Sequence, residues 1–257
     1  MSASSGGAPP SPGPAEGYVK FTVDWVQQSA EIPEALFEHL ETWRSRLYAA
    51  GAIGAYPNGI GFGNISVRAP ANVRVTDNEG AASTEGAAST GGAASTEGAA
   101  RFVITGSATG NFEELSPEHY ALVTSYSLEG NSLRCRGLTK ASSESLSHAA
   151  IYEAVPAANA VIHVHHRGLW DAKRGVLPTT AETIEYGTPE MALAMKDLAA
   201  AIARGGRRPS GRRPGGGPSA ANEVSGVIVM GGHEEGVIAF GTNLDETGRM
   251  ILGLIEG

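Results

Sequence analysis

Ala158-Asn159-Ala160-Val161-Ile162-His163-Val164-His165 is the stretch on which the fold turns. Ala160 to His165 reads as a strand, and its two histidines stand at i and i+2. Side chains alternate across the pleat of a strand, so His163 and His165 face the same way. Two neutral imidazoles on one face make half of a zinc site. A catalytic zinc takes three protein ligands and keeps one position open. His233, in Gly231-Gly232-His233-Glu234-Glu235-Gly236, is available as the third. His166 points the opposite way if the strand continues, so it stays out of the set.

Some twenty residues upstream stands Ser142-Ser143-Glu144. From Ser142 or Ser143 to Ala154 the pattern is helical, with Leu146, Ala149, Ala150 and Tyr152 to bury and Pro156 beyond the end. A helix N-terminus offers free backbone N–H groups and partial positive charge. Ser142 and Ser143 there either close an anion site or supply an N-cap. Glu144 has two readings as well. It is a carboxylate held near a metal for proton transfer at carbon, or an acidic residue favoured by the helix dipole. His148, four residues on, either orients Glu144 or sits in the core.

The rest of the chain alternates helices with short strands. Pro33 to Ala50 carries Leu36, Leu40, Trp43, Leu47 and Tyr48 at helical spacing. Gly61-Phe62-Gly63-Asn64-Ile65-Ser66-Val67-Arg68 is a glycine-rich turn into a strand. Phe102-Val103-Ile104-Thr105 is a buried strand closed by Gly106-Ser107-Ala108-Thr109-Gly110, and Tyr120 to Tyr126 is another strand. Thr188 caps a helix that begins at Pro189 and runs to about Ala203. Val227 to Met230 and Val237 to Phe240 are strands joined at His233, and Leu244 to Ile255 is a closing helix. Short strands joined by tight turns, with helices between, predict a mixed, largely antiparallel sheet covered by helices.

Three segments of the 257-residue chain are expected to stay out of the core. Residues 1–17 hold Ser, Gly, Pro and Ala with no aliphatic period and read as a disordered tail. They lack an apolar run and arginine, so neither a secretory signal nor a transit peptide is expected. Residues 78–100 repeat Gly-Ala-Ala-Ser-Thr-Glu at 80–85, nearly at 86–91, and at 92–97. A β-helix rung needs an aliphatic residue and only alanine is offered, so this is a surface loop. Residues 204–222 carry Arg204, Arg207, Arg208, Arg212 and Arg213 among Gly, Pro and Ser. No aromatic is present there for stacking on a base, and the chain's net charge is −8. A solvated loop is expected, with no nucleic-acid partner. No apolar run is long enough for a bilayer, so no membrane partner is expected either. The single cysteine, Cys135, excludes an intrachain disulfide and fits a reducing, cytoplasmic setting.

Taken in order, five stretches resemble the class II aldolase/adducin family. They are Gly63-Asn64-Ile65-Ser66, Ile104-Thr105 through Thr109-Gly110, Ser142-Ser143-Glu144 with His148, Ala158 to His165, and His233 running into Ala239-Phe240-Gly241. The resemblance spans the chain outside the three segments and implies one αβα three-layer domain over 18–257. It also implies a homotetramer binding one divalent metal per chain, zinc foremost, and a small phosphorylated sugar. By the same resemblance His163, His165 and His233 are the metal ligands and Glu144 is the catalytic acid/base. Gly63, Asn64, Thr109, Gly110, Ser142 and Ser143 are the phosphate contacts, with Thr105-Gly106 an alternative to Thr109-Gly110.

The implied activity is aldolase-type carbon–carbon cleavage through a metal-stabilised enediolate. Epimerase, dehydratase and decarboxylase chemistry on the same fold are alternatives, as is a non-catalytic adducin-like module. The adducin-type members lose the histidines that are present here. Two departures stand out. Glu234 and Glu235 follow His233 where the family commonly has glycine, and either could reach the metal or its surroundings. The tyrosine these aldolases use after the second histidine has no counterpart in Leu177-Pro178-Thr179-Thr180, and Tyr186 is the nearest.

Overall fold

A computed structural model describes residues 19–70, 73, 100–205 and 224–257. The expected tail at 1–17 and the expected loops at 78–100 and 204–222 lie outside the described residues, apart from Ala100, Arg204 and Gly205.

The first strand, β1 (Thr22–Val26), precedes α1 (Glu34–Ala49), which starts directly after Pro33 and buries Leu40, Trp43, Arg44 and Leu47. A short hairpin of β2 (Gly54–Ala55) and β3 (Gly61–Phe62) leads into β4 (Asn64–Arg68). The apolar run Phe102-Val103-Ile104-Thr105 forms β5 (Phe102–Thr105), buried throughout. A hairpin follows, β6 (Tyr120–Ser127) with β7 (Ser132–Arg136), and then α2 (Ser145–Ala154). The decisive stretch is β8 (Ala160–His165), followed at once by α3 (Arg167–Lys173) and later by α4 (Pro189–Gly205). The chain closes with β9 (Gly226–Val229), β10 (Gly236–Gly241) and α5 (Leu244–Glu256), where the Asn243 side chain accepts from the Glu246 N–H as an N-cap.

Eight strands form one sheet in the order β1-β7-β6-β5-β4-β8-β10-β9. The β1–β7 pair is parallel and every other pair is antiparallel, so the sheet is mixed and largely antiparallel as expected. One face packs on α2 and α4 through Phe102, Ile151, Tyr152, Met191, Met195 and Phe240. The other packs on α1, α3 and α5 through Trp43, Leu47, Ile65, Ile162, Trp170 and Ile251. The result is the αβα arrangement. Strand β8 is covered on both faces, which explains its uninterrupted apolar run between Ala160 and Ile162.

Registers place the chemistry at one end of the sheet. Asn64, the first residue of β4, pairs with His163, and Gly236, the first of β10, pairs with His165. Because β5 is antiparallel to β4, its last residue Thr105 reaches the same end. The Gly106–Gly110 turn and the start of α2 meet there too, since Gly106 bridges to Ala141.

The helix after Ser142-Ser143 starts later than the sequence suggests. Its first residue is Ser145, and Glu144 occupies the N-cap position rather than the first turn. The Ser142 hydroxyl accepts from the Glu144 N–H at 3.3 Å, and the Ser145 hydroxyl donates back to the Ser142 carbonyl at 2.6 Å. These local bonds hold the two residues before the helix in a non-helical turn. No helix among the described residues is long and apolar enough to cross a membrane.

Candidate metal centre and cleft

His163, His165 and His233 each offer one ring nitrogen to a cluster whose atoms all lie within 4.8 Å of one another. All three side chains are buried. Strand alternation supplies the first two, and the β9–β10 turn swings the third over them. His166 takes no part. The strand ends at His165, and the His166 imidazole accepts from the Leu169 N–H as the N-cap of α3.

Burial is the main force holding the His163 and His165 rings neutral, pushing both well below their ordinary value, and neighbouring histidines act in the same direction. His233 is lowered too, again chiefly by burial, while the Glu144 carboxylate opposes the shift. Neutral imidazoles are what a metal requires. Two further observations fit a metal here. Nε2 of His163 is buried and has no hydrogen-bond partner among the described residues. A Cβ at Gly236 would lie 3.1 Å from His233 Nδ1 and 3.2 Å from His163 Nε2, so glycine keeps the space between those nitrogens open.

Glu144 lies against this cluster, with Oε1 3.8 Å from His233 Nδ1. Its Oε2 accepts from the Ser147 hydroxyl at 3.1 Å. Thus Ser147, not His148, orients the carboxylate. His148 is a core histidine. Its Nδ1 meets the Ser66 hydroxyl at 2.7 Å, and Ser66 in turn meets the Tyr152 hydroxyl at 2.9 Å.

The cluster closes one end of a cleft. Gly63, Asn64, Thr109, Gly110, Ser142 and Ser143 all line it. Gly63 has φ +75°, a conformation that costs glycine little, and a Cβ there would fall 2.8 Å from Ile53 Cγ1. The alternative Thr105 is turned away. Its hydroxyl accepts from the Ile65 N–H, so Thr109 is the threonine on the cleft, where its own hydroxyl donates to the Gly106 carbonyl. Arg44, buried under the turn, donates to the carbonyls of Thr109, Phe112 and Glu113.

Two tyrosines stand at the cluster, Tyr186, which the sequence placed poorly, and Tyr56, which it did not point to. Tyr186 lines the cleft and stacks on His233, with centroids 4.6 Å apart and planes at 23°. The Tyr56 hydroxyl meets His165 Nδ1 at 2.9 Å and donates to Glu235 Oε2 at 3.0 Å. Glu235 therefore reaches His165 through a phenol, whereas Glu234 pairs at the surface with Arg167. Asn64 Nδ2 approaches His163 Nδ1 at 3.4 Å.

The model of the Class II Aldolase and Adducin N-terminal domain matches residues 58–255. Among solved structures the chain is similar to YgbL of Klebsiella pneumoniae, a proposed aldolase/epimerase/decarboxylase. Identity is 16% over 87% of this chain and 86% of that one, with TM-score 0.53. It is similar to a sugar-phosphate aldolase of Thermotoga maritima at 16% identity over 86% and 90%, with TM-score 0.52. YgbL of Escherichia coli gives 16% identity over 86% of each chain, with TM-score 0.51. At such identities these likenesses carry the fold alone. No curated protein matches. With its αβα layers and a family match running from the β2–β3 turn to the last helix, the chain belongs to the class II aldolase and adducin N-terminal domain family.

Proposed function

We propose that the protein is a metal-dependent lyase that cleaves a carbon–carbon bond in a small sugar phosphate. The observation that carries this reading is the convergence of three buried ring nitrogens beside the Glu144 carboxylate at the end of a hydroxyl- and amide-lined cleft. His163, His165 and His233 would hold one divalent ion, zinc foremost. Such an ion supplies a Lewis acid for the carbonyl and hydroxyl oxygens of a substrate.

The remaining work falls to the chain's own groups. Gly63, Asn64, Thr109, Gly110, Ser142 and Ser143 would take the phosphate, where backbone N–H groups before α2 favour an anion. In cleavage a hydroxyl proton leaves as the carbon–carbon bond breaks and that fragment departs as an aldehyde. The bond's electron pair passes into the carbonyl of the other fragment, which then takes a proton at carbon. Glu144, pinned through Oε2 by Ser147, has Oε1 turned to the cluster and would move the proton at carbon. Glu144, as a carboxylate, would also take the hydroxyl proton that it later delivers to carbon, and Tyr186, forming the cleft wall over His233, would hydrogen-bond that hydroxyl. We further place the protein in the cytoplasm as a homotetramer, on its single cysteine and on the habit of the family.

The test is elemental analysis of protein purified without chelator, followed by a screen for aldehyde release from short sugar phosphates. Stoichiometric metal with aldehyde release supports the reading. Metal-free active protein removes it. Carbon dioxide release or inversion at carbon without aldehyde moves the activity to decarboxylase or epimerase chemistry.

A further inference from the structure

The Tyr56 phenol has a single proton, and the geometry spends it on Glu235. The carboxylate Oε2 lies 3.0 Å from the phenol oxygen, and Arg167 Nε lies 3.3 Å from Oε1 of the same side chain. A carboxylate only accepts, so the phenol donates to it. Its oxygen then has only acceptor capacity to offer His165 Nδ1, 2.9 Å away. We infer that Tyr56 and Glu235 fix His165 in the tautomer protonated at Nδ1, leaving Nε2 as the nitrogen that faces the histidine cluster. This rests on the metal reading proposed above and deepens it by naming two positioning residues.

The surroundings support a fixed ring. Phe62 lies 5.4 Å from the His165 ring and 4.7 Å from that of Tyr56, so the imidazole is boxed by two aromatics on the β2–β3 hairpin. Glu235 itself sits at φ +67°, a backbone conformation that a non-glycine residue adopts at a cost. A positive φ directly before Gly236 turns the Glu235 carboxylate back over Tyr56 instead of out to solvent. His233 and Glu235 thus come from one tight turn, which delivers a ligand and, through Tyr56, the orienting group of a different ligand. Metal-bound histidines commonly donate their second ring N–H to a carboxylate or carbonyl, which fixes the ring and strengthens its donor nitrogen. Here a phenol stands between the carboxylate and the imidazole.

Two readouts test the inference. In metal-free, 15N-histidine-labelled protein, the His165 resonances should show the proton on Nδ1, and Tyr56→Phe should shift the ring toward the other tautomer. In competition with a chromogenic chelator, zinc affinity should fall about 10- to 100-fold in Tyr56→Phe, which keeps the ring packing. Glu235→Gln, which keeps an acceptor but no charge, should give a smaller loss. It also carries the test if Tyr56→Phe fails to fold. A wild-type Nε2–H tautomer overturns the inference, as does a Tyr56→Phe protein with unchanged tautomer and zinc affinity. Wild-type protein that binds no zinc would remove the metal reading, and the tautomer measurement would then decide the inference alone.

Discussion

Oε1 of Glu144 stands 3.8 Å from Nδ1 of His233 while Oε2 of the same carboxylate is held by the Ser147 hydroxyl. One oxygen is tethered by the helix that follows and the other is presented to the histidine cluster. Glu144→Gln should therefore keep metal content and melting temperature while lowering turnover by about two to four orders of magnitude. Glutamine keeps the size and the Ser147 contact but accepts no proton at neutral pH. Wild-type turnover in this variant would leave Glu144 a structural residue at the N-cap of α2.

Gly236→Ala should weaken zinc binding, with some cost to the fold because the methyl would also lie 3.0 Å from the His233 carbonyl. The added methyl would sit 3.1–3.2 Å from the nitrogens of His233 and His163, crowding the space an ion would use. Chelator competition read beside the metal-free melting temperature checks this. Undiminished affinity would mean that the ion sits elsewhere.

Arg44→Met should cost about 2–4 kcal/mol, because one buried and two partly buried carbonyls lose their donor. Since those carbonyls belong to the turn carrying Thr109, KM for the phosphorylated substrate should rise more than kcat falls. Arg44→Lys should recover part of the stability. Denaturant unfolding with steady-state kinetics separates the two effects, and an unchanged KM in the folded variant would detach this turn from substrate binding.

Acid should unfold the protein partly through His148. Burial pushes this imidazole from 6.5 down to about 3. Between those values the unfolded chain binds a proton that the folded chain refuses. Stability is then complete above about pH 6.5 and falls as pH drops toward 3, by up to about 1.4 kcal/mol per pH unit from this group. His163 and His165 are lowered as well and add slope of the same sign. His148→Gln should flatten the curve of unfolding free energy against pH by about one proton between roughly pH 4 and 6. An identical slope would return the acid sensitivity to other groups.

Much of this was legible in the amino-acid order. Period-two placement put His163 and His165 on one face, and the apolar runs of β5, β8 and β10 announced a sheet buried on both sides. The missed elements share a physical cause. Strand β7 alternates Leu133 and Cys135 with Ser132 and Arg134, but its two arginines mask that pattern. Strand β1 alternates Val23 and Trp25 with Thr22 and Asp24, but it lies at the sheet edge, is only partly buried, and at five residues is short for that pattern to stand out. Helix α3 has seven residues, too few for a period to show. In the site, Tyr56 was invisible because its role depends on the β2–β3 hairpin folding over β8, and Tyr186, named only as the nearest tyrosine, could not be placed because its stacking partner lies far along the chain.

The pairing of β8 with β10 sets a timetable for the molecule. His165 and Gly236 face each other across that pair, yet helices α3 and α4 and the edge strand β9 are all translated between them. Contacts so distant in sequence form late, because the entropy of closing a long loop is lost before they return anything. A chain leaving the ribosome can complete β4, β5 and β8 and still lack His233. The proposed metal site is thus completed only when the C-terminal hairpin docks, and an ion captured there would resist its release, acting as a latch on a finished sheet.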